Sequence, residues 1–252
     1  MLETENLTIR FGGHVAVDHV SCAFEPGTLT AIVGPNGAGK TTFFNLVSGQ
    51  LRASDGTVRL NGIDITHEPV SQRTHRGLGR AFQLTQLFPN LSVLENVRLA
   101  VQSQRKEGLN LWSVWLSHRN TLERAHALLE RVKLGDRAEA PASSLPHGDQ
   151  RKLEVAMLMA LDPSVYMFDE PTAGMSVDDV PVILDLIRAL KAQRDKTILL
   201  VEHKMDVVRE LADRIIVLHN GQLVADGEPA AVIASPVVQN AYLGVSAVEE
   251  PA

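Results

Sequence analysis

The sequence predicts an α/β fold: a buried parallel sheet, an antiparallel β subdomain ahead of it, and an α-helical subdomain inserted into it. Three observations carry that prediction. The apolar run Leu29-Thr30-Ala31-Ile32-Val33 leads into Gly34-Pro35-Asn36-Gly37-Ala38-Gly39-Lys40-Thr41-Thr42 and then Phe43-Phe44-Asn45-Leu46-Val47, which reads as strand, glycine-rich loop and helix. Two further short apolar runs, Val165 to Phe168 and Thr197 to Val201, are bounded by turn residues and read as strands buried on both faces. Between them and the first strands, the block 92–162 carries almost only helical periodicity. The expected organisation is one domain. Its α/β core and β subdomain come from 1–82 and 163–252, and its helical subdomain from 83–162.

Taken in order, Leu2 to Arg10 and Val15 to Phe24 are strands about a Gly12-Gly13 turn, and Pro26-Gly27 is a second turn. The helix after Lys40 ends near Gly49, and Thr57 to Leu60 with Asn61-Gly62 predicts a hairpin. Residues 69–76 suggest a short helix and 77–83 a loop with a short strand. Ser92-Val93-Leu94-Glu95 is a capping-box pattern opening a helix over 92–102. A longer helix covers 111–134, with Leu122, Ala125, Leu128 and Leu129 at helical spacing. Asp136 to Ser144 reads as a loop before a helix over 149–161. Helices at 178–193 and 205–212 flank the strand at 197–201. Ile215 to Leu218 and Gln222 to Ala225, joined by Asn220-Gly221, form a second hairpin, and two short helices end the chain.

The 252 residues suffice for a proper core, burying about 70–75% of the unfolded surface. A formal net charge of −6 gives no global field drawing the chain to nucleic acid or lipid. The one cysteine, Cys22, excludes an intramolecular disulfide, fits a reducing compartment and reads as a core residue. The first residues lack a basic region followed by an apolar run, so no signal peptide is expected. The apolar patch from Leu109 to Leu116, with Trp112 and Trp115, falls far short of the roughly 20 residues that span a bilayer. A protein soluble by itself is expected, with any membrane attachment through a partner.

Gly34 to Thr41 spells G-x-x-x-x-G-K-[ST], the P-loop. Its glycines let backbone N–H groups curl around a phosphate chain, and the helix start adds partial positive charge. Lys40 is expected to reach the β- and γ-phosphates of ATP, and the Thr41 hydroxyl to bind Mg²⁺. Phosphoryl transfer to water also needs an acidic element. Asp169-Glu170, at the end of an apolar strand, supplies it: Asp169 for the metal, Glu170 as general base. His203 lies just beyond another apolar strand, where an imidazole is structural or contacts a γ-phosphate and orients water. Gln83 is a weaker candidate for Mg²⁺ or the lytic water.

Together these residues resemble the ATP-binding cassette (ABC) ATPases, across essentially the whole chain: a P-loop NTPase (RecA-like) core with the two subdomains named above. The resemblance puts Phe11 where an aromatic stacks on adenine, with Val17 as a further nucleotide contact. It makes Gln83, in Arg80-Ala81-Phe82-Gln83, the Q-loop residue, Asp169-Glu170-Pro171-Thr172 the Walker B end, and His203 the switch histidine. Leu145-Pro146-His147-Gly148-Asp149-Gln150-Arg151 occupies the signature position. Such cassettes work as dimers, homodimeric or paired with a sibling, in which one signature closes on the ATP held by the other P-loop. Transmembrane permease subunits, and indirectly a substrate-binding protein, complete the assembly at the cytoplasmic face of the membrane. No nucleic acid is implied.

Two departures from that pattern stand out. The usual signature is L-S-G-G-Q; here Pro146, His147 and Asp149 differ, while Gly148 and the following helix start remain as donors. Asp149 near a phosphate is unfavourable unless it points away. Ala173-Gly174-Met175-Ser176 lacks the common final aspartate of the D-loop. These departures predict normal ATP binding with weakened or partner-dependent closure and turnover. They also resemble a subgroup. Arg10 to Gly13, the signature variant, Asp169 to Met175, Val201 to Asp206 and the Ala241 to Gly244 tail look like the ATPases of branched-chain amino acid importers. Lipopolysaccharide-export ATPases are near cousins. A soluble ABC ATPase acting on ribosomes or DNA usually carries two cassettes or a long coiled coil, and neither is present here. A small-molecule kinase would share only the P-loop.

Overall fold

The computed structural model describes residues 1–81, 87–104 and 114–243, with the side chains of all but 114–118 and 241–243. Gln83, Phe82, Trp112 and the Trp115 side chain fall outside the described residues. The chain opens with β1 (Leu2–Phe11) and β2 (His14–Phe24), then β3 (Leu29–Val33) and α1 (Lys40–Ser48). A hairpin of β4 (Asp55–Leu60) and β5 (Ile63–Asp64), a short α2 (Val70–His75) and β6 (Leu78–Ala81) follow. Next come α3 (Val93–Gln104), α4 (Val114–Arg131) and α5 (His147–Leu161). The chain then runs through β7 (Val165–Asp169), α6 (Val180–Lys191), β8 (Thr197–Val201), α7 (Met205–Leu211), β9 (Arg214–His219) and β10 (Gln222–Gly227), and ends in α8 (Pro229–Ala234) and α9 (Pro236–Leu243).

These strands make two sheets. One is antiparallel, in the order β2-β1-β4-β5; the other runs β10-β9-β3-β8-β7-β6, parallel except for β10. Every residue of β3, β7 and β8 is buried, as apolar runs without alternation require of strands covered on both faces. Phe43 and Phe44 of α1 are fully buried in one core with Leu2, Leu7 and Phe24 of the antiparallel sheet and Met167 and Leu199 of the parallel one. A separate core unites α3, α4 and α5 with one face of β7 and β8. The Asn-Gly turns of the two hairpins have positive φ at both residues, Asn61 and Gly62 at 51° and 77°, Asn220 and Gly221 at 49° and 78°. This is the backbone that matches strand twist in a two-residue hairpin. Cys22 is buried, and burial pushes its thiol up to about 12, so it packs and does not react.

Local differences from expectation have local causes. The helix expected over 149–161 begins at His147. Pro146, at φ −57° and ψ 157°, stands at its N-cap, where the ring's fixed φ and missing N–H cost nothing. The loop expected over 136–144 contains two single turns of 3₁₀ helix, Gly135–Arg137 and Ala142–Ser144. Only half of the capping box forms: the Glu95 N–H donates to Ser92 Oγ at 3.1 Å, while the Glu95 carboxylate accepts from Arg98 at 2.8 Å.

Among the described residues, Arg73 is the largest fully buried side chain, at 1% exposed. Its guanidinium donates to the carbonyls of Leu46, Val47, Thr66 and Glu68 at 2.8, 2.6, 2.7 and 3.0 Å. It therefore caps the C-terminal end of α1 and ties it to α2, and burial pulls its pKa down to about 10. Arg73→Met should lower unfolding free energy by about 3 kcal/mol, since buried carbonyls lose their donors. A thermal melt reads this as a Tm lower by roughly 6–12 °C.

Candidate active site

The parallel strands β3, β6, β7 and β8 all point their C-terminal ends to one edge, with Asp169 opposite Val201 and Ala81 opposite Phe168. That edge carries the glycine-rich loop after β3 and the acidic and histidine loops after β7 and β8. Segments from three parts of the chain thus meet where open α/β sheets bind ligands.

The loop after β3 is shaped by close approach. A Cβ on Gly34 would lie 2.1 Å from the Leu218 carbonyl oxygen, and one on Gly39 would lie 2.5 Å from that of Ala16. Gly37 has open space but a φ of 80°. Helix α1 starts at Lys40 with no side chain capping its N-terminus, so its first-turn amides form a natural anion seat. Pro35, Asn36 and Gly37 line the outer side of the loop and Ala38 is buried beneath it. Lys40 is buried, and its ammonium donates to the carbonyls of Gly34 and Pro35 at 2.8 and 2.9 Å. Burial pulls the Lys40 pKa down, while Glu170 and Asp169 push it back up. Thr41 is exposed and Thr42 half-buried. Phe11 is exposed at the end of β1; Val17 is fully buried, with its Cγ2 3.6 Å from a Cβ on Gly39.

Asp169 and Arg80 form a buried ion pair at 2.6 Å, with side chains 7% and 5% exposed. Arg80 also donates to Asn45 Oδ1 at 2.7 Å and Ser48 Oγ at 3.0 Å, and lies 5.4 Å from the centroid of the Phe44 ring. It joins β6, β7 and α1 at a single charge. No motif marks Arg80; its one signal in the sequence is an arginine in a short buried strand directly before the Q-loop position. Glu170 takes a left-handed φ of 51°, and its N–H donates to the Val201 carbonyl at 2.9 Å. That turn lifts its carboxylate out of the sheet. Glu170 Oε1 meets His203 Nε2 at 2.8 Å, and both side chains are about two-fifths exposed, at 41% and 42%. They are therefore accessible to a substrate.

The start of α5 departs from the expected anion site in one useful respect. Asp149 turns to its own chain, with Lys152 Nζ at 3.0 Å and Arg137 Nε at 3.7 Å. Lys152 is buried and also pairs with Asp179, which accepts from Ser176 Oγ at 2.7 Å. Asp149 is thus compensated by cations. Gly148 stays in the first turn, with a Cβ there 3.0 Å from Asp179 Oδ2. The His147 ring lies 3.4 Å from a Cβ on Gly174, so the signature position and the segment after β7 pack as one surface.

This fold and cradle define the class: a P-loop ATP-binding cassette with ATPase activity. The chain matches the ABC transporter family over residues 17–173 and belongs to it. Among curated relatives, the high-affinity branched-chain amino acid transport ATP-binding protein LivG of Escherichia coli is 37% identical, covering 97% of this chain and 98% of that protein. BraF of Pseudomonas aeruginosa, of the same description, is 36% identical with the same coverage of 97% and 98%. Among solved structures, a nucleotide-free ATP-binding cassette from an ABC transporter superposes with a TM-score of 0.81 at 31% identity, covering 97% of this chain and 99% of that one. The ADP conformation of an ABC transporter cassette gives 0.80 at 31% identity, with coverage of 97% and 99%. The chain is accordingly the ATP-binding motor subunit of an ABC transporter. Among the described residues, no helix is long and apolar enough to cross a membrane.

Proposed function

We propose that this chain powers a branched-chain amino acid importer, or one for a related amino acid or small amide, by hydrolysing ATP at the edge described above. The observation supporting the chemistry is the Glu170–His203 contact at 2.8 Å beside the glycine-rich loop. Full-length similarity to LivG and BraF supports the substrate class.

In this reading the N–H groups of Asn36 to Thr42 wrap the phosphates and Lys40 exchanges its loop carbonyls for β- and γ-phosphate oxygens. Phe11 stacks on adenine, and Val17 supports the loop from below. Among the described residues, no group of three or more His, Cys, Asp or Glu side chains converges to hold a metal. Mg²⁺ takes a few protein oxygens and completes its shell with phosphates and water, and the exposed Thr41 hydroxyl in the first turn of α1 is such an oxygen. Thr41 and Asp169, with Gln83, would hold Mg²⁺. When bound, Mg²⁺ neutralises charge building on the phosphate oxygens. Glu170 takes a proton from the attacking water as its oxygen bonds to the γ-phosphorus and the bond to the β–γ bridging oxygen breaks, releasing ADP and phosphate. His203 meets the Glu170 carboxylate at 2.8 Å and reaches towards the γ-phosphate.

The helix start at Gly148 is read as the donor surface offered to ATP on a second cassette, identical or a sibling. The helical subdomain assigned to 83–162 is read as the part through which permease subunits hold the chain at the cytoplasmic face of the membrane. The chain does not touch the transported solute, which a separate binding protein delivers.

Lys40→Ala tests the cradle. Nucleotide affinity should fall about 10–100-fold, the worth of a charge-assisted bond to phosphate; parental binding of Mg·ATP in an equilibrium titration would count against the assignment. Purification from native membranes in mild detergent with ATP tests the assembly. Two permeases and a second cassette are expected; lipid-export components, or ribosomal or DNA-bound partners alone, would refute the importer reading.

A further inference from the structure

Beneath the exposed His203–Glu170 contact runs a second, buried bridge between the same two loops. Glu202 is 3% exposed and Thr172 is 2% exposed. Thr172 Oγ1 donates to Glu202 Oε1 at 2.5 Å. The N–H groups of His203 and Lys204 donate to Glu202 Oε2 at 2.9 and 3.3 Å. One carboxylate thus holds the turn that carries His203 with one oxygen, and with the other it holds the segment two residues beyond Glu170.

We infer that Glu202 and Thr172 are positioning residues for ATP hydrolysis, setting the His203 imidazole against the Glu170 carboxylate. This rests on the reading of Glu170 as base and His203 as its partner. The reason is the contrast in burial. A contact between two side chains about two-fifths exposed is screened by water and contributes little on its own to holding a geometry. A fully satisfied buried carboxylate is different: no water competes for its three donors, and breaking any bond strands a buried polar group. An apolar residue would end β8 without the desolvation that a carboxylate incurs. What a carboxylate adds is two acceptor oxygens at fixed separation, one for each loop. Glu170 itself sits in the left-handed region, so the turn carrying it needs outside restraint.

The test uses the full chain assembled with its permease in membranes for hydrolysis rates, and the purified chain for Mg·ATP affinity. Glu202→Ala and Thr172→Val should each lower kcat about 10–100-fold, the usual cost of loosened catalytic geometry, with Kd for Mg·ATP within about threefold of the parent. Glu202→Gln and Thr172→Ser should regain most of the rate. A glutamine can accept the two N–H groups on its oxygen and donate its amide to Thr172. Adding His203→Ala to Glu202→Ala should cost less than the product of the two single losses, because both act through the His203 imidazole. A parental kcat in Glu202→Ala and Thr172→Val, a loss confined to KM or Tm, or losses that multiply in the double variant would each overturn the inference. If Glu202→Ala does not fold, Thr172→Val against Thr172→Ser and Glu202→Gln carries the same comparison. Glu170→Gln serves as the control. If it is silent while Glu202→Ala runs at the parental rate, the positioning role alone fails. If it hydrolyses ATP like the parent, the base assignment fails, and the inference with it.

Discussion

Glu170→Gln should bind Mg·ATP within about twofold of the parent and lose ATP turnover by about 10²–10⁴-fold, the usual contribution of a positioned general base. The amide matches the carboxylate in shape and its oxygen still accepts from His203, so the left-handed turn at 170 and the hydrogen bond at 2.8 Å have no reason to change. What is lost is the capacity to take a proton from water. The two-fifths exposure of both side chains is consistent with a group that must meet substrate. With ATP bound and uncleaved, two cassettes should stay closed, so size-exclusion chromatography with ATP should show a dimer in the variant that the parent lacks at steady state. Parental hydrolysis by Glu170→Gln would remove Glu170 from the base role.

Arg80→Met should be the most destabilising single change of those considered, by about 3–5 kcal/mol, because it leaves the Asp169 carboxylate buried without its cation. The pair is 2.6 Å apart with both side chains under one-tenth exposed, and Arg80 also spans to Asn45 and Ser48 on α1. Burial pulls the Arg80 pKa down and Asp169 pushes it back up, as expected when one partner makes the other's burial tolerable. A denaturant titration reads the loss. Adding Asp169→Asn to Arg80→Met should recover part of the stability, since it removes the stranded charge; an additive further loss would show that the two residues do not act as a pair.

Much of this architecture is legible in the sequence because its signals are local. The P-loop spells its own turn, the Asn-Gly pairs at 61–62 and 220–221 sit where both residues have positive φ, and the runs ending at Val33, Phe168 and Val201 are buried strands. Apolar periodicity and turn chemistry act over a few residues, and a few residues suffice to read them. Boundaries were less legible: α5 starts two residues early because Pro146 serves as an N-cap, and the Glu95 half of a capping box yields to Arg98. By itself the sequence determined which residues form the glycine-rich loop and the acidic strand end, and it carried the family resemblance, which the family match over residues 17–173 bears out. Only the tertiary structure decided which side chains meet. Strand β8 inserts between β3 and β7, so the His203 loop stands beside both the cradle and Glu170. The same packing gives Asp169 to Arg80, Asp149 to Arg137, and Glu202 to Thr172. The Arg80–Asp169 and Thr172–Glu202 partners are 89 and 30 residues apart. No local period encodes such separations, because strand order is set by how buried faces pack over the whole chain.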